Sequence, residues 1–157
     1  IYKIKTFVFL NLLNKIFYMT NEKALILNNV CTAIESEYFK SDSKFKISDT
    51  LVYAVSKNIT KTKGVVSEKK ELDETIVKVF KKEIGFDEEK AKIDKEYENK
   101  VNEGYRAYLQ SEVVKEQLDS FFNEESKVEV YKVKPEVLDE AIIPSSFREI
   151  LEELIVE

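Results

Sequence analysis

The 157-residue chain has no histidine or tryptophan, and it has only one cysteine, two prolines and three glycines. Without histidine, Ser-His-Asp and Cys-His catalysis and imidazole metal sites are excluded. A single cysteine can form neither an intramolecular disulfide nor a cysteine-based zinc site. No Gly-x-Gly-x-x-Gly or P-loop pattern is present. The sequence therefore predicts a protein that is not an enzyme and that has no cofactor or metal.

The scarcity of glycine and proline favours long regular elements with few loops. Apolar residues make up 43% of the chain and charged residues 35%, as is typical of a soluble protein of one domain. The net charge of −5 disfavours general binding to nucleic acid, which needs a surplus of lysine and arginine. Cys31 is predicted to be a small buried hydrophobe in a reducing environment. We expect a cytoplasmic protein that does not bind membranes.

Residues 1–18, IYKIKTFVFLNLLNKIFY, do not fit the rest of the chain. Asn11, Asn14 and Lys15 interrupt the apolar run, and no small-residue cleavage site follows, so neither a signal peptide nor a membrane span is indicated. Nearly all of these residues can be encoded by codons of A and T alone. We therefore predict that residues 1–18 are an upstream, non-native extension and that Met19 is the native initiator. If the segment is present and folded, an amphipathic helix attached weakly to the rest is expected.

From Ser48 to Glu125 the apolar spacing predicts two long amphipathic helices, separated only by residues 84–87. Ser48 is a good N-cap for the first helix. Gly85 suits the C′ position after it, and Asp87 can cap the second helix. A kink or break is expected at Gly104, because glycine costs about 1 kcal/mol against alanine inside a helix. Such helices bury their apolar stripes against each other, so we predict a long antiparallel hairpin.

The segments on either side of the hairpin predict a small base of mixed structure. Residues 23–27 are interpreted as a strand, followed by a helix over residues 29–39. The alternation in residues 127–133 predicts a second strand, antiparallel to the first. Residues 135–140 suggest a turn or short helix, and a capping box at 146–149 opens a C-terminal helix. The predicted fold is mainly α, of the α+β class, with a single helical-hairpin domain over residues 19–157.

Aromatic residues are concentrated in the second half of the hairpin. They are predicted to belong either to the core or to a partner interface, because aromatic side chains are common at both. Two helices cannot cover all of them, so some are expected to face a partner protein or a second copy of the chain. These candidate interface residues are Tyr97, Tyr105, Tyr108, Phe121 and Phe122.

Charged residues cluster at two places along the hairpin. Lys57, Lys61 and Lys63 make the first helix locally basic, which predicts either a solvated face or a basic face for an acidic partner or nucleic acid, although the intervening Thr60 and Thr62 offer no stacking platform. The second cluster opens the second helix and predicts either a solvated helix start or a Ca²⁺ or Mg²⁺ site. Its members are Asp87, Glu88, Glu89, Asp94, Glu96 and Glu98.

Three motifs together resemble a known group of proteins. They are Asn28-Asn29 behind the short apolar run, Tyr53-Ala-Val-Ser-Lys57-Asn58, and the end from Phe121-Phe-Asn-Glu-Glu through residues 127–133 to Pro144 and Leu151-Glu-Glu-Leu-Ile. The arrangement resembles an uncharacterised family of small proteins of unknown function from tailed phages and prophages of Gram-positive bacteria. Members of that family have a shorter, more broken middle than the run from Glu88 to Glu125. The resemblance implies a phage-encoded accessory or assembly protein in the host cytoplasm, with no catalytic residues to assign.

Three functions are compatible with these features. The first is a non-catalytic protein that acts through protein–protein interaction, either with a partner or as an oligomer. The alternative is a regulator or inhibitor that binds nucleic acid, or an enzyme acting on nucleic acid, through the lysine-rich arm. The third is a hydrolase with a carboxylate-only metal site.

Overall fold

The computed structural model describes residues 19–157, so the predictions for residues 1–18 lie outside the described residues. The described part is mainly helical. Its seven helices are α1 (Asn21–Tyr38), α2 (Asp49–Glu83), α3 (Glu88–Ile93), α4 (Lys95–Leu109), α5 (Glu112–Asn123), α6 (Glu136–Asp139) and α7 (Ser145–Ile155).

The first predicted strand, residues 23–27, is wrong because these residues open helix α1. The Thr20 hydroxyl caps the helix by accepting a hydrogen bond from the Lys23 backbone N–H at 3.3 Å. Ala24, Leu27 and Ile34 follow at helical spacing and are all fully buried. A run of five apolar residues does not by itself distinguish strand from helix, and the longer period through Ile34 determines the outcome.

The second predicted strand, residues 127–133, also joins no sheet. Residues 19–157 contain only isolated bridges, which link Thr20 with Glu125, Lys46 with Ile142, and Val133 with Val156. The apolar positions of the segment are nevertheless used, since Val128 and Val133 are buried in the core. Because these two positions are five residues apart, the burial does not follow a period of two, and the backbone partners of the segment come from elsewhere.

The predicted signals at both ends of the first long helix are confirmed. The Ser48 hydroxyl accepts a hydrogen bond from the Leu51 N–H at 3.2 Å. Gly85 has a φ of 60°, which glycine adopts without strain, and the Phe86 N–H donates to the Lys81 carbonyl at 2.9 Å in a Schellman-type ending. α2 is thus 35 residues long and reverses direction in one tight turn.

The second arm is not one helix, and it does not break at Gly104. It is divided at Asp94, whose carboxylate caps α4 by accepting from the Tyr97 N–H at 3.0 Å, and again at residues 110–111. Gly104 lies inside α4, where a Cβ would meet the ring of Phe80 at 3.5 Å. Capping of a new helix by Asp94, rather than glycine flexibility, interrupts the run.

The C-terminal prediction is correct in its helices and wrong in its capping. α6 and α7 form as expected, but α7 begins at Ser145 and has no side-chain cap. Instead, the Arg148 guanidinium donates to the Leu138 carbonyl at 2.6 Å and to the Ala141 carbonyl at 3.0 Å. Arg148 therefore ties the loop between α6 and α7 to the start of α7.

Buried apolar residues form a large cluster at one end of the molecule and a small set at the other. The large cluster combines α1, the first half of α2, residues 128–141 and α7, and we call residues 19–67 and 124–157 the base. Residues 68–123 are the distal hairpin. Its fully or nearly fully buried apolar residues are Ile76, Phe80 and Val114.

Candidate functional site

The predicted interface tyrosines of α4 pack inside the distal hairpin. The ring of Phe80 lies 5.2 Å from that of Tyr105 and 5.3 Å from that of Tyr108, between centroids. All three are at least half-buried, and burial, with Asp73 nearby, raises the pKa of Tyr105. These tyrosines hold α4 against α2, which is a structural role within the chain.

Tyr97 stabilises the tip of the hairpin. Its ring stacks on Phe86 at 6.3 Å, and its hydroxyl accepts a hydrogen bond from the Asp87 N–H at 3.0 Å. The Lys81 ammonium lies 4.6 Å from the centroid of the Phe86 ring, and the Lys90 ammonium lies 4.7 Å from that of the Tyr97 ring. The tip is therefore held by aromatic and cation–π contacts around the turn at Gly85.

Phe121 and Phe122 connect the distal hairpin to the base. Their rings meet edge to face at 5.8 Å, Phe121 packs against the core cluster, and the Lys69 ammonium lies 5.8 Å from the ring of Phe122. Both rings are half-buried. Of the five predicted interface residues, Phe121 is the one that also lines an open groove.

Large exposed apolar side chains occur in both the base and the distal hairpin, and those of the base include Phe39 and Ile142. In the distal hairpin, Ile93 is 87% exposed and Val113 is 61% exposed, while Val79 and Ile84 are both above 40%. Helices α3 and α4 bury no residue at all. Because the second arm is divided at Asp94, the apolar positions of α3 and α4 do not all face α2. The signal in the sequence for this division is Asp94 as an N-cap.

A groove of about 510 Å³ runs between α2 and α5, where the distal hairpin joins the base. Leu72 of α2 and Val113 and Phe121 of α5 form its apolar surface, and Glu116 and Glu124 also line it. The long packing partner of α2 is α1 rather than α5, which leaves room between the two helices. This groove is the candidate binding site.

The three predicted basic residues do not form one face. At 100° per residue, Lys57 and Lys61 lie on one side of α2, whereas Lys63 points about 160° away from Lys61. All three are exposed. Lys61 lines a cavity of about 240 Å³ that it shares with Glu68 and with Ser126 of the base, so its surroundings carry both signs of charge.

A pair of exposed tyrosines lies beside Lys57, and sequence analysis did not identify it. Tyr53 and Tyr131 meet edge to face at 5.7 Å, and the Lys57 ammonium is 5.2 Å from the Tyr53 ring. The buried side chain of Asn58 fixes Tyr131 through two backbone hydrogen bonds, donating to its carbonyl at 3.0 Å and accepting from its N–H at 2.7 Å. Tyr131 was assigned to a strand, so its proximity to Tyr53 could be recognised only in three dimensions.

The carboxylates at the start of the second arm act as caps and ion-pair partners. Asp87 accepts from the Lys90 N–H at 2.9 Å, Asp94 caps α4, and Glu96 lies 2.8 Å from the Lys100 ammonium. Within residues 19–157, no group of three or more acidic or cysteine side chains is arranged to hold a metal ion. These local contacts explain why acidic residues open α3 and α4.

Cys31 lies in α1 and is fully buried. Burial, with a smaller contribution from Glu35, raises the pKa of the thiol to about 12. A thiol with such a pKa stays protonated at neutral pH, so Cys31 lacks the thiolate that a nucleophile or metal ligand needs.

No helix between residues 19 and 157 is long and apolar enough to cross a membrane. Comparisons of the chain with protein-family models, with curated proteins and with solved structures gave no match.

Proposed function

We propose that the protein is a non-catalytic interaction protein that binds another protein through its distal hairpin. The observation that carries this proposal is the exposed apolar surface of Val79, Ile84, Ile93 and Val113. These residues lie on the distal hairpin, which packs little against the main core, and exposed apolar side chains on such an element are a common feature of interaction surfaces. The resemblance to phage proteins extends the proposal to an accessory or assembly role in the host cytoplasm.

Two further features support an interaction role. α2 extends well beyond the base core, whose last residue on that helix is Val65, so its second half contributes little to the main core. The aromatic contacts around Phe80 and at the tip keep that second half paired with α4. A projection that is held in shape but packs little against the base is suited to presenting a surface.

Site-specific photo-cross-linking in the natural host tests this proposal. A benzoyl-phenylalanine at Val79 or Ile93 should give one discrete cross-linked protein species, whereas the same group at the exposed base residues Phe39 and Ile142 should not. Cross-links at the base residues alone, or at none of the four, would contradict binding through the hairpin.

A second candidate function is favoured by the tyrosine pair beside Lys57. Exposed aromatic rings next to lysines can stack bases and neutralise phosphates, so a nucleic-acid ligand would bind at Tyr53, Lys57 and Tyr131. Fluorescence anisotropy with labelled single-stranded oligonucleotides should then show binding that weakens with salt and is lost in Tyr53→Ala. No binding at 20 mM salt would remove this candidate.

A further inference from the structure

The groove between α2 and α5 is lined mainly by α5, and Leu72 is the residue of α2 in its lining. On α5, Val113, Gln117 and Phe121 follow at intervals of four residues and lie on one side of the helix. On α2, Val79 is seven residues after Leu72 and continues the same side of that helix. The lining between Val113 and Glu124 spans 11 residues of chain, or about 17 Å at 1.5 Å per residue.

The charged residues that line the groove are all acidic. Glu116 and Glu124 belong to its lining, and no lysine or arginine does so among the described residues. Neither carboxylate takes part in an ion pair with another residue of the described chain. The groove therefore presents two unneutralised negative charges beside its apolar side chains.

We infer that this groove binds a basic amphipathic helix of a partner protein, and this inference rests on the proposed function. The apolar face of such a helix would cover Leu72, Val113 and Phe121. Its lysines or arginines would pair with Glu116 and Glu124. A helix of about 12 residues matches the length of the lining, and binding of a helix in a groove between two helices uses anchors at i, i+3, i+4 and i+7. The charge pattern selects the sign of the partner, because an acidic helix would be repelled by both glutamates.

Binding of designed peptides tests the inference directly on the full chain. The probe is a fluorescein-labelled 18-residue helix of leucine and lysine, with the leucines on one face. Two controls have the same length: the same helix with glutamate in place of lysine, and the leucine/lysine composition in scrambled order. The leucine/lysine helix should bind in the micromolar range, and both controls should bind at least about tenfold more weakly.

Matched variants locate the binding at the groove. Val113→Asp should weaken binding at least about tenfold, whereas Ile142→Asp should leave it within about twofold, because both residues are 61% exposed but Ile142 lies in the base. The double variant E116K/E124K should lose the lysine peptide and gain the glutamate peptide. E98K/E103K makes the same change of net charge outside the groove lining and should alter neither.

Several results would overturn the inference. Equal binding of the lysine helix and its scrambled control would remove the amphipathic helix, and equal effects of the two double variants would show that only net charge matters. A dimer of the wild type that Val113→Asp converts to monomer would make the groove an interface between copies. If the peptides fail but photo-cross-links at Val79 and Ile93 persist, the charge assignment is wrong while the proposed function stands.

Discussion

Replacement of Asn58 by alanine should be one of the most damaging single changes in the base. Asn58 is fully buried in α2, and its amide pairs with both backbone groups of Tyr131. The amide thus supplies the two hydrogen bonds that a neighbouring strand would otherwise make to the backbone of Tyr131. Removal of the amide deletes two hydrogen bonds and leaves the Tyr131 N–H and carbonyl without their partners.

The expected loss can be estimated from these contacts. Each intramolecular hydrogen bond contributes about 1 kcal/mol, and each buried group left unpaired costs about 1–3 kcal/mol. Tyr131 is 39% exposed, so water can reach part of its backbone and the smaller cost applies. The two lost bonds alone give about 2 kcal/mol, and adding the smaller cost of about 1 kcal/mol for each of the two backbone groups gives about 4 kcal/mol. The free energy of unfolding should therefore fall by roughly 3 kcal/mol, which lowers the melting temperature by about 6–12 °C in a protein of this size.

Urea unfolding followed by circular dichroism at 222 nm measures this loss. Asn29→Ala is the matched control, because Asn29 is an exposed asparagine in α1 and its replacement should change stability by less than about 0.5 kcal/mol. A loss below 1 kcal/mol for Asn58→Ala would refute the view that its amide holds the segment around Tyr131 in place.

Asn58→Asp provides a second test through pH. A protonated aspartic acid can donate and accept as the amide does, whereas a carboxylate faces the Tyr131 carbonyl without a proton. Burial should therefore raise the pKa of the new carboxyl above its unfolded value of about 3.9. Its contribution is present at low pH and is lost as the pH rises through the folded pKa. The variant should lie closer to wild type at pH 4.5 than at pH 7.5; the opposite order would refute the geometry.

Three further predictions follow from other sites. The Cys31 thiol should react with Ellman's reagent at pH 8 only on unfolding, and fast labelling of the folded protein would contradict this. Because burial raises the pKa of the thiol from 9.0 to about 12, the stability that it contributes is complete below pH 9 and is lost between about pH 9 and 12. Gly85→Ala should lower the free energy of unfolding by about 1–2 kcal/mol, because Gly85 has a φ of 60°. Gly64→Ala inside α2 should raise it by up to about 1 kcal/mol, because a Cβ there meets nothing within 4 Å. Equal urea midpoints for the two variants and the wild type would argue against both predictions. Ser126→Ala should be neutral or stabilising by up to about 1 kcal/mol, since the buried hydroxyl has no hydrogen-bond partner within residues 19–157; a loss above 1 kcal/mol would show that the hydroxyl is paired.

Local signals in the sequence were sufficient for the hairpin and its turn. Ser48, Gly85 and Asp87 each act through groups within three or four residues of themselves, so their caps can be predicted from neighbouring residues alone. Asp94 could have been read in the same way, as an N-cap inside the second arm. Gly104 was misleading because a glycine inside a helix can be tolerated where a large ring, here Phe80, lies next to it.

Features that depend on contacts distant in sequence could not be predicted. Residues 127–133 alternate like a strand, but the backbone of Tyr131 is paired by a side chain 73 residues away. The base therefore contains no sheet in its described residues, although Val128 and Val133 of that segment are buried. The alternation of residue types predicts neither which of these side chains are buried nor which groups pair with the backbone.

The candidate site was only partly predictable for the same reason. The sequence predicts Phe121 as a candidate interface residue, but it gives no sign that Leu72 and Val113 line the same groove. The direction of each short helix of the second arm decides which apolar residues are covered, and that direction follows from the breaks at Asp94 and at residues 110–111. No single residue type carries that information.

The separation of Ile76, Phe80 and Val114 from the main cluster has a consequence for how the molecule unfolds. Few buried side chains hold the distal hairpin closed, so it should open in a sub-global step that leaves the base folded. Amide hydrogens beyond Val65 in α2 would then exchange faster than those near Leu51. A partner that binds only the closed hairpin would draw part of its affinity from suppressing this opening, which couples binding to the order of the whole arm.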